Sequence, residues 1–161
     1  MGIFLRTFRD IKGLPVISEQ TGKKYGTIQD LCFAENGTIL GILVQFTIRH
    51  LFLSIHDVQH VGKDAVMIKE GSRFQHIKEL TTKPIFFATH RGVQGKELLS
   101  SSGSSLGTIH DVYLMEELGK IIGYEATDGF FADITEGRKI IRTNQPIAVS
   151  DDAILIKCLN E

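Results

Sequence analysis

The sequence predicts an all-β protein built as two tandem small antiparallel β-barrels with short helical additions. Three observations predict it. First, the chain repeats itself: Gly26-Thr27-Ile28-Gln29-Asp30-Leu31 returns as Gly107-Thr108-Ile109-His110-Asp111-Val112, and Thr21-Gly22 returns as Ser102-Gly103, both at an offset of 81. Second, short apolar runs are punctuated by turns, with 16 Gly among 161 residues, a composition that suits tight turns and β-bulges. Third, Asn36-Gly37 between two apolar runs signals a hairpin, because both residues tolerate positive φ. Further matches keep their order as the offset drifts. Gly37-Thr38-Ile39-Leu40-Gly41-Ile42 answers to Gly119-Lys120-Ile121-Ile122-Gly123-Tyr124, and Asp64 to Lys69 answers to Asp152 to Lys157. A solenoid repeat spans roughly 20–50 residues, so this period marks two domains. They are placed at residues 1–80 and 81–161. Each is near the size at which a lone core is marginal. The halves are therefore expected to pack on each other about a pseudo-two-fold, with Phe46, Phe74, Phe86 and Phe87 as candidate contacts.

The elements follow in order. Phe4, Leu5, Phe8 and Ile11 share one face of a short helix over residues 3–11, with Thr7 able to cap its last turn. Gly13 ends it, and Leu14-Pro15-Val16-Ile17 reads as the first strand. After a turn at Thr21-Gly22-Lys23-Lys24, a long strand runs from Tyr25 to Ala34 and returns from Thr38 to Thr47. Leu51 to Ile55 and Ala65 to Ile68 complete five or six strands, the spacing of a small barrel. Residues 72–83 join the halves, and Phe74, Ile77 and Leu80 at helical spacing predict a packed helical turn. Residues 89–95 replay 7–13. The second half then gives a strand at Glu97-Leu98-Leu99, a turn at residues 100–105, and a hairpin of residues 106–115 and 120–127. An insertion follows at residues 128–137. Asp128 as N-cap and Gly137 as stop predict a short helix carrying Phe130 and Phe131.

Composition excludes several classes. Hydrophobic residues make up 42% and the net charge is −1, ordinary for a globular chain. Residues 1–80 carry +2 and residues 81–161 carry −3, so neither half has the basic balance of a dedicated nucleic-acid binder. No apolar run approaches the roughly 20 residues of a membrane helix. The start, Met1-Gly2-Ile3-Phe4-Leu5-Arg6, lacks the apolar core of a signal peptide. Cys32 and Cys158 occupy non-equivalent positions without a CxxC, which points to a reduced, cytoplasmic setting.

Each half carries Thr/Ser-Gly, three residues, Gly-x-Ile-x-Asp-Leu/Val, an apolar strand, a Gly turn, and Ile-Leu-Gly or Ile-Ile-Gly. Upstream stand Ile11-x-Gly13-x-Pro15-Val16-Ile17 and Val93-x-Gly95-x-Glu97-Leu98-Leu99. This pattern resembles the PRC-barrel domain over nearly all of both halves; the departure is Glu97 where the first half has Pro15. The family includes the cytoplasmic domain of the photosynthetic reaction-centre H subunit and the C-terminal domain of a ribosome small-subunit maturation factor. The resemblance implies a small β-barrel that docks on other macromolecules, and a structural role for the repeated Asp. Read from the residues alone, Gly22 and Gly103 supply turns, and Gly26 and Gly107 allow a bulge or a close backbone crossing. Asp30 and Asp111 are disfavoured mid-strand, which suits carboxylates that accept hydrogen bonds. Asp30→Ala and Asp111→Ala are each expected to cost about 1–3 kcal/mol.

Candidate chemistry is sparse. His50, His56 and His60, with Asp57, form the one His cluster; on an extended segment His56 and His60 share a face. A zinc site usually needs three or four ligands in a tight motif, so surface histidines are the preferred reading, and a metal-dependent enzyme using His56, Asp57 and His60 is a remote one. His110 and Asp111 are strand neighbours and point to opposite faces. The serines of residues 100–105 lead into a strand and not into the helix a phosphate cradle needs. No catalytic residue, metal ligand set or cofactor is assigned. Lys23, Lys24 and Tyr25 form a basic loop with an aromatic, matched by Ser104-Ser105-Leu106 in the second half. Together with Phe130 and Phe131 they are the candidate binding surface. The expected function is a non-enzymatic cytoplasmic adaptor that binds another protein through strand edges and loops. An RNA- or ribosome-associated accessory protein is the alternative, and self-association is a further partner class. DNA binding and membrane insertion are not expected.

Overall fold

The computed structural model describes residues 5–115, 117–127, 139–142 and 147–156. The predicted helix with Phe130 and Phe131, and Cys158, lie outside the described residues. The first half comprises β1 (Leu5–Thr7), α1 (Phe8–Ile11), β2 (Pro15–Ser18), β3 (Lys24–Phe33), β4 (Ile39–Gln45), β5 (His50–Ser54), β6 (Val58–Val61), β7 (Val66–Ile68) and β8 (Phe74–Gln75). The second comprises β9 (Ile85–Phe86), β10 (Glu97–Ser100), β11 (Ser105–Met115), β12 (Ile121–Thr127), β13 (Lys139–Arg142), β14 (Ala148–Val149) and β15 (Ala153–Ile156).

Two sheets result, and they match strand for strand except for β8, which has no counterpart among the described residues. One runs β6-β7-β2-β3-β4-β5-β8 and the other β14-β15-β10-β11-β12-β13. In both, the first strand of the motif pairs in parallel with the last, as β2 with β7 and β10 with β15, which curls each sheet. The other pairings within the two sheets are antiparallel. Bulges recur at equivalent places. One lies opposite Val16/Ile17 and opposite Leu98/Leu99, leaving Tyr25 and Leu106 as the extra residues. A second lies between Ile28 and Asp30 and between Ile109 and Asp111. An extra residue breaks the two-residue alternation of side chains. Ile28 and Asp30, on either side of the bulge, are both buried, as are Ile109 and Asp111. Gly26 makes the close crossing: a Cβ there would collide with the Gln45 carbonyl oxygen.

The halves are exchanged at their leading segments. β1 pairs with β11 of the second half, and β9 pairs with β3 of the first. Phe8 and Phe87, which follow these strands, are 2% and 0% exposed and stack at 5.1 Å. The two hairpin turns also meet reciprocally. The Ile39 N–H donates to the Gly119 carbonyl at 3.3 Å, and the Ile121 N–H to the Gly37 carbonyl at 2.8 Å, with a bridge between Thr38 and Lys120. An interface in which residue i meets j and the equivalent of j meets the equivalent of i is isologous, the geometry of a two-fold dimer. One hydrophobic core runs through both halves, from Ile11, Leu31 and Ile42 to Val93, Val112 and Ile154.

Four local expectations are corrected. The helix predicted over residues 3–11 is one turn, Phe8–Ile11; Leu5–Thr7 is a strand because the free edge of β11 satisfies its backbone. The connector over residues 72–83 is only partly helical: Phe74–Gln75 pairs with β5 and a single 3-10 turn covers Ile77–Glu79. Phe46 and Phe74 pack edge-to-face within the first half, whereas Phe86 and Phe87 do reach across to the other half's partners. The equivalence of residues 89–95 with 7–13 holds only at its end. Gly13 and Gly95 both donate to the Ile of the motif, Ile28 and Ile109, at 2.8 Å, but Phe87 and not His90 occupies the place of Phe8. The second copy therefore carries three extra residues before Val93.

Candidate functional site

The repeated carboxylates lie where the halves exchange. Asp30 Oδ1 accepts the N–H groups of Leu31 at 2.8 Å and Ala88 at 2.9 Å. Asp30 Oδ2 accepts the Thr89 N–H at 2.7 Å and a short hydrogen bond from the Thr89 hydroxyl. Asp111 Oδ1 accepts from Val112 at 2.8 Å, Phe8 at 3.0 Å and Arg9 at 3.4 Å. Each carboxylate thus caps the turn led in by the opposite half. Helix and turn starts leave N–H groups unpaired, and a buried acceptor satisfies them.

Around these caps the two halves diverge. On the first half's outer face, Cys32, Leu43, Phe52 and Phe86 form a small apolar cluster, and burial pushes the Cys32 thiol well above its ordinary range. At the places of Cys32 and Leu43 the second half has Tyr113 and Glu125. Glu125 is 3% exposed and faces Asp111 across the β11–β12 pair. The Tyr113 hydroxyl donates to Glu125 Oε2 at 3.0 Å. Arg9 leans over both acids, with Nε 3.7 Å from Asp111 Oδ2 and Nη2 3.9 Å from Glu125 Oε2. Burial raises the pKa of Asp111, opposed by the hydrogen bonds from Val112 and Arg9. Burial, then the bond to Glu125, raises that of Tyr113. Phe8, Arg9, Lys12, Gln94, His110 and Asp111 line a cleft of about 350 Å³ here. The signal for this cluster stood in the sequence: Glu125 interrupts an apolar strand at the position of Leu43.

The basic loop is self-engaged. The Lys23 ammonium lies 5.0 Å over the Tyr25 ring, whose other neighbour is Phe74 at 5.3 Å. Glu70 gathers the loop, accepting from Ser18 at 2.6 Å, Thr21 at 3.3 Å and Tyr25 at 3.5 Å. The Ser18 bond, first among these, holds the Glu70 carboxyl below its ordinary range. Ser105, in the matching loop, donates to Glu97 at 3.2 Å. The His cluster is dispersed. His56 lies on a 3-10 turn, Ile55–Asp57, and His60 on β6, so they do not share one extended segment. His50 instead packs against His90, with ring centroids 5.5 Å apart.

A larger cleft, of about 560 Å³, lies beside β6 and is lined by Val58, Gln59, His60, Val61 and Glu117. It is composite, since Glu117 belongs to the second half. β6 is an outer strand of its sheet, at the end opposite β8. Arg6 closes one end, donating to the carbonyls of Val61 at 3.0 Å and Gly62 at 2.6 Å.

Comparison with known proteins agrees with the duplicated architecture. The PRC-barrel domain model matches twice, over residues 5–75 and 90–160. A Bacillus subtilis (strain 168) protein, the uncharacterized protein YrrD, is 33% identical over 157 residues, spanning 94% of this chain and 87% of its own length.

Proposed function

This chain belongs to the PRC-barrel family, and from that premise we propose that it is a non-enzymatic adaptor that binds another protein through a strand edge. The observation that carries the reading is the cleft along β6. An outer strand offers unpaired backbone donors and acceptors, and an extended segment of a partner can add to it as a further strand. The cleft gives that segment's side chains a place to lie, and Glu117 gives it a charge to match. Arg6 limits the edge at Val61, which leaves Val58 to His60 as the receiving stretch. The Lys23-Lys24-Tyr25 loop is a second part of the proposed surface. Because Lys23 and Tyr25 already hold each other, stacking on RNA bases would first have to break that contact. A cytoplasmic setting fits the buried thiol of Cys32. No helix among the described residues is long and apolar enough to cross a membrane.

The test is a photo-crosslinking residue at Gln59, compared with one at Lys12. A discrete protein adduct is expected at Gln59 and not at Lys12. Gln59→Pro removes a backbone N–H from the receiving stretch, at the bulge between Val58 and His60, and should abolish partner binding while leaving the circular dichroism spectrum unchanged. Adducts that vanish with ribonuclease, or equal yields at both positions, would overturn the reading.

A further inference from the structure

We propose that His50 and His90 form a two-histidine site for a divalent late transition-metal ion, Cu²⁺, Ni²⁺ or Zn²⁺. The ion would clip the first repeat to the leading turn of the second. His50 opens β5, opposite Gln45; His90 stands in the turn after β9. Their rings are 5.5 Å apart, centroid to centroid, at 85°. A metal–imidazole bond of about 2.0–2.1 Å puts an ion about 3.2 Å from each ring centroid, so two imidazoles at a tetrahedral angle have centroids about 5.2 Å apart. The observed separation, in an edge-to-face contact, lies within about 0.3 Å of that spacing, so the two rings are close enough for one ion to bridge them.

The surroundings of His90 support the same assignment. Its Nδ1 lies 2.8 Å from the Thr89 hydroxyl oxygen. That hydroxyl donates its own proton to Asp30, so its lone pair receives Nδ1–H. The neutral ring is thereby fixed in the tautomer that leaves the Nε2 lone pair free, the arrangement in which metal-binding histidines are held by a second group. Phe86 stacks under the ring at 4.4 Å and restricts its rotation. His90 is solvent-exposed and His50 half-buried, so an ion reaches both. The backbone is strained as well. His90 and Arg91 have φ of 52° and 57°, a conformation that costs non-glycine residues and persists where the surroundings impose it. The first repeat makes the corresponding turn as an ordinary helical turn, Phe8–Ile11. Among the described residues no group of three or more His, Cys, Asp and Glu could hold a metal. Two protein ligands would leave the remaining positions of a bound ion to water. Imidazole suits Cu²⁺, Ni²⁺ and Zn²⁺, and Cu²⁺ should bind tightest.

The proposal does not depend on the adaptor reading. It is tested by titrating the full chain with each metal salt alone and following Cu²⁺ by its electron paramagnetic resonance spectrum. One Cu²⁺ per chain with a nitrogen-ligand signature is expected. His50→Gln and His90→Asn should each weaken binding tenfold or more; Asn is chosen because it tolerates the left-handed backbone. Thr89→Val should weaken it less. His56→Gln should bind the metal as the natural chain does. Circular dichroism shows whether His90→Asn folds, and if it does not, His50→Gln alone decides. No bound Cu²⁺, affinity unchanged in the His50 variant, or loss in the His56 control would overturn the site.

Discussion

Asp30→Asn should destabilise the chain by about 2–3 kcal/mol, almost as much as Asp30→Ala, because both carboxylate oxygens accept hydrogen bonds. Oδ1 takes the N–H groups of Leu31 and Ala88, and Oδ2 takes the N–H and hydroxyl of Thr89. An amide NH2 in either place would face donors with a donor and leave buried N–H groups unpaired. Asp111 is different. Its backbone donors all converge on Oδ1, while Oδ2 faces the largely exposed Arg9 side chain. Asp111→Asn keeps the converging acceptor and should cost about 1 kcal/mol, with Asp111→Ala costing about 2–3 kcal/mol. The sign of its pH dependence follows from burial. The raised folded-state pKa of Asp111 means that its contribution is full below the unfolded value of about 3.9 and is lost as pH rises through the folded value. The Asn variant lacks that loss, so its deficit should be smaller at pH 7 than at pH 4. Denaturant melts at the two pH values measure all of this. Equal costs for Asp30→Asn and Asp111→Asn would contradict it.

Phe8→Ala and Phe87→Ala should each cost about 3–5 kcal/mol, the usual result of emptying an aromatic site in a packed core. Their double variant should cost less than the sum by about 1 kcal/mol, since the two rings stack on each other and the stacking is lost only once. Strict additivity would mean that the rings fill independent cores and that the halves merely touch.

The repeat made the architecture legible. Matching Gly26 to Gly107 and Asp30 to Asp111 places the same strands in both halves, and the structure carries that equivalence through to the order of the sheets. What could not be read was the exchange. Leu5 to Thr7 carries the same apolar pattern whether it forms a helix on its own half or a strand on the other. The outcome is decided by the free edge of β11, a non-local fact. The three-residue expansion before Val93 was hidden for a related reason. Thr89 and Gly95 repeat Thr7 and Gly13 in sequence, but the packing of Phe87 on Phe8 sets the spatial match. The candidate sites were legible in part. His50 was singled out with its sequence neighbours His56 and His60, while its spatial partner, His90, stands in the opposite half. Glu125 was visible only as a charge inside an apolar strand. Its meaning depends on Arg9, which the exchanged segment brings across.

The central claim is that the exchanged segments and the Asp30 and Asp111 caps bind two repeats into one cooperative body. Differential scanning calorimetry of the full chain tests it most directly. A single transition is expected, with calorimetric and van't Hoff enthalpies equal. Two separable transitions, each carrying about half the enthalpy, would show that the repeats fold as independent barrels and would contradict the account.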